Sequence, residues 1–234
     1  MSTVKTKHSL IPILLLIPAP LQAQSSSSYK NLDILKGVPD ARIPAVMQAF
    51  NSFLGVNCTH CHVEGKWESA EKPAFARTRQ MFRMRAGMNA GPLKAYDGVG
   101  CWTCHRGKPQ PEPLAQSALR DPAWPPELAL KPDQENQPAE RVFHNIQTFS
   151  GVPAGRLPTV MALFSISLGV DCSHCHVSGD WQSDDKPAKQ TARQMMAMVR
   201  STKPEYFEQS AAGISCWTCH RGAKNPERNA PPKA

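Results

Sequence analysis

Four Cys-x-x-Cys-His segments recur along this 234-residue chain, and together they take up all eight of its cysteines. They are Cys58-Thr-His-Cys61-His62, Cys101-Trp-Thr-Cys104-His105, Cys172-Ser-His-Cys175-His176 and Cys216-Trp-Thr-Cys219-His220. Two thiols three residues apart, followed at once by an imidazole, can do one specific piece of chemistry. The thiols add to the two vinyl groups of a haem, and the histidine ligates its iron. On a helical turn, positions i, i+3 and i+4 share a face, so all three groups meet one porphyrin. Disulfides account for the cysteines but not for a His after every second one. Structural zinc sites use paired cysteines without needing that His. The expected cofactors are therefore four covalently bound haem c groups, with Cys58, Cys61, Cys101, Cys104, Cys172, Cys175, Cys216 and Cys219 as attachment points. His62, His105, His176 and His220 are the proximal ligands.

The elements that must position these groups come in two copies. Gly37-Val38-Pro39, Leu54-Gly55-Val56, Trp67 and Lys72-Pro73-Ala74 recur 114 positions later as Gly151-Val152-Pro153, Leu168-Gly169-Val170, Trp181 and Lys186-Pro187-Ala188. The second haem motif of each copy is displaced by 115, so one residue is inserted between. A repeat this long, used only twice, is a domain duplication rather than a solenoid. The expected organisation is a signal peptide at 1–23, a di-haem module at 24–107, a Pro-rich linker at 108–139, a second di-haem module at 140–224 and a flexible tail at 225–234.

Each module reads as mainly α, with few strands and a haem-dominated core. Pro44 suits the first turn of a helix reaching Leu54, and Gly55 suits its C-terminal cap. Val46, Met47, Phe50, Phe53 and Leu54 give that helix an apolar stripe. A second helix is expected over 74–87, with its counterpart over 188–202. Gly107 and Gly222 are expected to stop the helices of the second motifs. Aromatic residues make up only 7% of the chain, so porphyrins must supply much of the apolar core.

A proximal His leaves the sixth position of each iron open. Methionine thioether is a usual filler in cytochromes and raises the reduction potential. Met47 and Met161 each lie 15 residues before a motif His, and Met81 and Met195 each lie 19 residues after it. These four are the candidate distal ligands, with Met84 and Met198, one turn on, competing with Met81 and Met195. Methionine at helical spacing also serves as core filler. His60, His174 and His144 are expected to be exposed or hydrogen-bonded rather than ligating. Trp67, Trp102, Trp181 and Trp217 suit porphyrin faces and edges. Arg77, Arg79, Arg106, Arg193 and Arg221 are candidate propionate partners.

Lys5, Lys7 and His8 followed by an apolar run from Leu10 to Leu21 read as a secretory leader cleaved after Ala23. The run is shorter than the ~20 residues of a bilayer span, although an uncleaved anchor is the alternative. Export fits covalent haem attachment, and the expected location is periplasmic, at or near the outer face of the inner membrane. The formal net charge is +8. Four haems bring about eight propionates, so the basic balance has a cofactor-based explanation and no nucleic-acid partner is expected.

Leu-Gly-Val-Asn-Cys-Thr-His-Cys-His (54–62) with Ala-Arg-Thr-Arg-Gln-Met (76–81) resembles the cytochrome c subunit of photosynthetic reaction centres. So does Leu-Gly-Val-Asp-Cys-Ser-His-Cys-His (168–176) with Thr-Ala-Arg-Gln-Met (191–195). The resemblance implies helices carrying axial methionines, four haems in two related pairs, and re-reduction of a photo-oxidised special pair. It supports Met47, Met81, Met161 and Met195 as distal ligands. The chain departs from that family in being shorter, in lacking an anchoring Cys and in offering no obvious second His ligand. Similar domains serve outside photosynthesis, so the redox donor and acceptor can also belong to a respiratory membrane complex. The expected function is electron transfer by Fe(III)/Fe(II) cycling, with no catalytic residue and no small-molecule substrate. The alternative is a multihaem peroxidase or oxyanion reductase, which needs one open iron and nearby acid–base groups.

Overall fold

The computed structural model describes residues 27–115, 124–207 and 213–230. The leader at 1–23 lies outside the described residues, as do parts of the linker and tail. Among the described residues the structure is helical, with isolated bridges in place of strands. None of the described helices is long and apolar enough to cross a membrane.

The two copies fold alike. In the first, α1 (Ile43–Leu54) leads into α2 (Cys58–Cys61), followed by α3 (Pro73–Ala90) and α4 (Cys101–His105). A short helix, α5 (Ala139–Val142), precedes the second copy. There α6 (Leu157–Leu168), a 3₁₀ turn at Cys172–His174, α7 (Pro187–Phe207) and α8 (Cys216–His220) follow the same order. Pro44 and Pro158 sit in the first turns of α1 and α6, where a missing N–H costs nothing. The long helices α3 and α7 run past their expected ends. In α3 the extra turn is anchored by Met88, which is buried against Met84, Leu93 and Met198.

A backbone junction locks the two motifs of each copy together. Gly55 ends α1 in the left-handed conformation (φ 64°), and Gly107 N–H, just after α4, donates to Phe53 O at 2.9 Å. A Cβ on Gly55 would lie 1.9 Å from Gly107 O. The second copy repeats this contact: Gly222 N–H donates to Ser167 O at 2.8 Å, and a Cβ on Gly169 would lie 2.1 Å from Gly222 O. Here the chain needs glycine both for the positive φ and for the close approach.

Like elements of the two copies face each other, α3 against α7 and α4 against α8. Cys104 Sγ and Cys219 Sγ are 3.7 Å apart. Arg106 pairs with Glu227 of the tail at 3.2 Å, while Arg221 pairs with Glu112 of the linker at 3.3 Å. These two ion pairs are the same contact displaced by 115 residues, so each copy holds an arginine of the other with the carboxylate that follows its own second motif.

Among the described residues the buried apolar set is small. Its central cluster is Met84, Met88, Leu93 and Met198, edged by Met81, Met195, Val99, Val199 and Ile214. Met47, Phe50, Met161 and Phe164, on α1 and α6, stay half-exposed.

Gly55→Ala is expected to cost roughly 3 kcal/mol or more, from left-handed strand strain of ~1–2 kcal/mol plus displacement of Gly107. Gly37→Ala, also at positive φ (85°) but with open space around the new Cβ, is expected to lose only the strain. Chemical denaturation of the two variants should separate these costs.

Candidate functional site

The four motifs are built in two ways. In the second motifs all five residues are helical, and each helix is capped from within. Gly100 N–H donates to Thr103 Oγ1 and Ser215 N–H to Thr218 Oγ1, both at 3.0 Å. Arg106 and Arg221, rather than the following glycines, cap these helices in the left-handed conformation, with φ of 48° and 52°. In the first motifs the histidine leaves the helical path. His62 is extended, although its N–H still bonds Cys58 O at 3.0 Å and His176 N–H still bonds Cys172 O at 2.9 Å. The tight turn that follows, bridged Val63 to Lys66 and Val177 to Asp180, draws the backbone out of the helix.

All four motif imidazoles nevertheless share one arrangement. A carbonyl oxygen can only accept, so each Nδ1 carries the proton. His62 Nδ1–H donates to Trp67 O, and His176 Nδ1–H donates to Trp181 O at 2.9 Å. His105 donates to Lys108 O and His220 to Ala223 O, both at 3.0 Å. The tautomer is thereby fixed with the Nε2 lone pair free, as an imidazole that binds a metal requires. Burial pulls the pKa of His105 and His176 below the ordinary histidine value, which keeps them neutral.

The first motif of the second copy opens onto a cavity of about 600 Å³. That volume lies within the roughly 300–1,000 Å³ of typical cofactor and ligand pockets. Cys172, Cys175 and His176 line it together with Met161 and Phe164 of α6. The two thiols, the oriented imidazole and an apolar space bordered by a thioether fit a covalently attached haem. The linker helps to close this cavity. Trp124 packs edge-on to Phe143 at 6.1 Å, and Trp181 Nε1–H donates to Glu127 at 2.9 Å. In the first copy Trp67 is 51% exposed.

The candidate methionines fall into two groups. Met161 lines the cavity, and Met47 occupies the matching half-buried place on α1. Met81, Met84, Met195 and Met198 gather in the central cluster beside Val99 and Ile214, two residues before Cys101 and Cys216. Met196, which spacing did not single out, lines the cavity of His176, whereas Met195 turns to the centre. Adjacent helical residues differ by about 100° in direction, so the Gln-Met-Met-Ala-Met run presents thioethers both ways.

Of the remaining candidates, His60, His144 and Arg77 are exposed, and His174 is half-buried. Arg79 bonds Asn31 and pairs with Asp33, and Arg193 bonds Asp184. The Nε1 of Trp102 and Trp217 and the Nε of Arg106 and Arg221 are buried without a partner. Beside the second motifs these unsatisfied donors suit an anionic group such as a propionate. Every cysteine is free, and no cluster of His, Cys, Asp or Glu among the described residues could hold a metal ion alone.

A family model described as photosynthetic reaction centre cytochrome C subunit matches the chain twice in tandem, over residues 2–122 and 113–230. Proteins named photosynthetic reaction center cytochrome c subunit align along most of the chain. That of Thermochromatium tepidum is 26% identical, over 87% of this chain and 61% of the relative. That of Rubrivivax gelatinosus is 24% identical, over 87% and 68%, and that of Roseobacter denitrificans is 25% identical, over 90% and 72%. The chain thus spans about three fifths to three quarters of the length of these relatives.

Arg193, 2.9 Å from Asp184, holds that carboxyl well below the ordinary aspartate pKa, helped by Lys189 and Asn145. Its contribution to stability is complete above the usual aspartate range near about pH 4 and fades as the pH falls below it. Asp184→Asn is therefore expected to lower stability at neutral pH, with the gap to wild type closing in acid. Urea titrations from neutral pH to about pH 3 would check the sign.

Proposed function

The chain belongs to the photosynthetic reaction centre cytochrome c subunit family, and from that membership we propose that it is a periplasmic tetrahaem c-type cytochrome that carries electrons between redox proteins. The observation that carries this reading is the set of four motif histidines, each with Nδ1–H bonded to a backbone carbonyl. When bound, haem supplies a one-electron Fe(III)/Fe(II) couple. The chain's own part is to hold, orient and shield it.

Cys58 with Cys61, Cys101 with Cys104, Cys172 with Cys175 and Cys216 with Cys219 would tether the four porphyrins. His62, His105, His176 and His220 would ligate from one side. Met47 and Met161 would ligate from the other side at the first motifs, and Met81 and Met195, or Met84 and Met198, at the second. Each carbonyl acceptor keeps its imidazole from rotating and raises its basicity. Ligands held in place by the fold would leave little to rearrange on reduction, which suits a carrier rather than a catalyst. Trp124, Phe143 and Leu128 line the cavity of the second copy and would shield a bound porphyrin from water.

The 3.7 Å approach of Cys104 to Cys219 supports a path in which the two second-motif sites are neighbours and the first-motif sites lie outside them. An electron taken from a donor protein at one end would leave to an acceptor at the other, one in and one out. A photosynthetic reaction centre is the acceptor that the family membership favours, with a respiratory membrane complex as the counterpart in a non-photosynthetic setting.

Absorption and EPR spectra of the purified haem-loaded protein test this reading. The expected result is four haems per chain, all low-spin, with the Met–Fe(III) charge-transfer band. A high-spin haem that binds cyanide quickly would overturn it in favour of a multihaem enzyme. Met161→His is expected to lower one midpoint potential by on the order of 0.1 V or more, within the roughly 0.8 V that axial ligands span. Potentiometric titration would read that shift.

A further inference from the structure

The first motifs of the two copies differ at one position that touches the proximal histidine indirectly. In both copies the imidazole Nδ1–H donates to the carbonyl five residues on. In the second copy that carbonyl has another donor. Lys189 Nζ lies 3.1 Å from Trp181 O, and its other protons go to Gln182 O at 2.9 Å and Ser183 O at 2.7 Å. Lys189 is only 9% exposed, so an ammonium is buried against the carbonyl that orients His176. In the first copy position 75, the counterpart of 189, is Phe75. Its ring stands edge-on to His62 at 5.3 Å and brings no charge to Trp67 O.

We propose that Lys189 is a positioning residue that sets the reduction potential at the His176 site above that at the His62 site, acting through the Trp181 carbonyl. The proposal rests on the carrier reading above. Two effects act in the same direction. A carbonyl oxygen already bonded to an ammonium is a weaker acceptor for a second N–H, so His176 gains less imidazolate character and stabilises Fe(III) less. A cation held in a partly desolvated place also opposes the extra positive charge of the oxidised iron directly. Asp184 Oδ1, 3.3 Å from Lys189, works against this. That carboxylate is shared with Arg193 at 2.9 Å, and the two cations outnumber it. Arg193 has its counterpart in Arg79, and Lys186 in Lys72, which makes the same lysine-to-carbonyl bond to Thr59 O that Lys186 makes to Ser173 O. The guanidinium and the outer lysine are thus common to both copies. Lys66 stands where the second copy has Asp180, but both are exposed to solvent, and Ala70 stands where it has Asp184. Among the described residues, Lys189 is the buried cation bonded to the carbonyl that orients a first-motif histidine.

The test is a mediated spectroelectrochemical titration of the full-length haem-loaded protein at fixed pH, in which each iron takes one electron. Lys189→Met removes the charge while keeping a long side chain. The expected result is a fall in one of the four midpoints, on the order of tenfold in the Fe(II)/Fe(III) ratio at fixed potential, which is about 59 mV for a one-electron couple. The other three midpoints should stay in place, Lys189→Arg should leave all four near wild type, and Phe75→Lys should raise a different single midpoint. Four unchanged midpoints in Lys189→Met with all haems retained would overturn the proposal. So would an equal movement of all four, the signature of general loosening. If Lys189→Met loses haem, Phe75→Lys decides, a single raised midpoint supporting the proposal and no shift overturning it. Failure of the carrier reading would show separately, as a wild-type protein without four haems in the pyridine haemochrome assay or with a high-spin haem in its native EPR spectrum.

Discussion

The bond from each motif imidazole to a backbone carbonyl is the constraint on which the rest of the structure depends. A free histidine has two tautomers and a rotating ring, and either freedom would blur the position of a metal ligand. Here the ring is fixed by carbonyls close in sequence, three residues on in the second motifs and five in the first. Those carbonyls must themselves be held. The left-handed arginines and the Gly55–Gly107 and Gly169–Gly222 contacts hold them in the second motifs, and the Val63–Lys66 and Val177–Asp180 turns hold them in the first. Secondary structure is therefore arranged around the ligands, rather than the ligands being added to a finished core.

The sparse burial follows from the same priority. Helices α1 and α6 carry apolar stripes whose central residues, Met47, Phe50, Met161 and Phe164, are half-exposed. A stripe of this kind normally faces another element. In the second copy Met161 and Phe164 border the cavity of the first motif, where a bound porphyrin would offer a flat apolar face on which the stripe could close. On the proposed reading protein and cofactor would share one core, and a ligand that binds only the folded chain adds its binding free energy to stability.

Much of this could be read from the sequence. The motif spacing, the repeat, the Pro44 and Gly55 boundaries of α1 and the placement of Met47 and Met161 all follow from local rules. What escaped is tertiary. Spacing did not reveal that Met196 lines the His176 cavity while Met195 faces the central cluster, because the direction of two adjacent methionines depends on how α7 rolls against α3. The helical face assumed for all four motifs holds for the second pair, whereas His62 turns away under the tight turn behind it. Lys189, which no local pattern singles out, is buried among three carbonyls. The clasp of Arg106 with Glu227 and of Arg221 with Glu112 joins residues more than a hundred positions apart, which local pattern cannot reveal.

The like-with-like contact between the copies is the geometry of a two-fold dimer, built here from one chain. Two identical subunits meeting this way would be condemned to identical ends, and an electron entering such a pair would find no downhill direction. Joining the halves covalently keeps the reciprocal contact while releasing each half from sameness. One end can then hold Phe75 and the other Lys189, and under the proposed function a symmetric wire would become one with polarity.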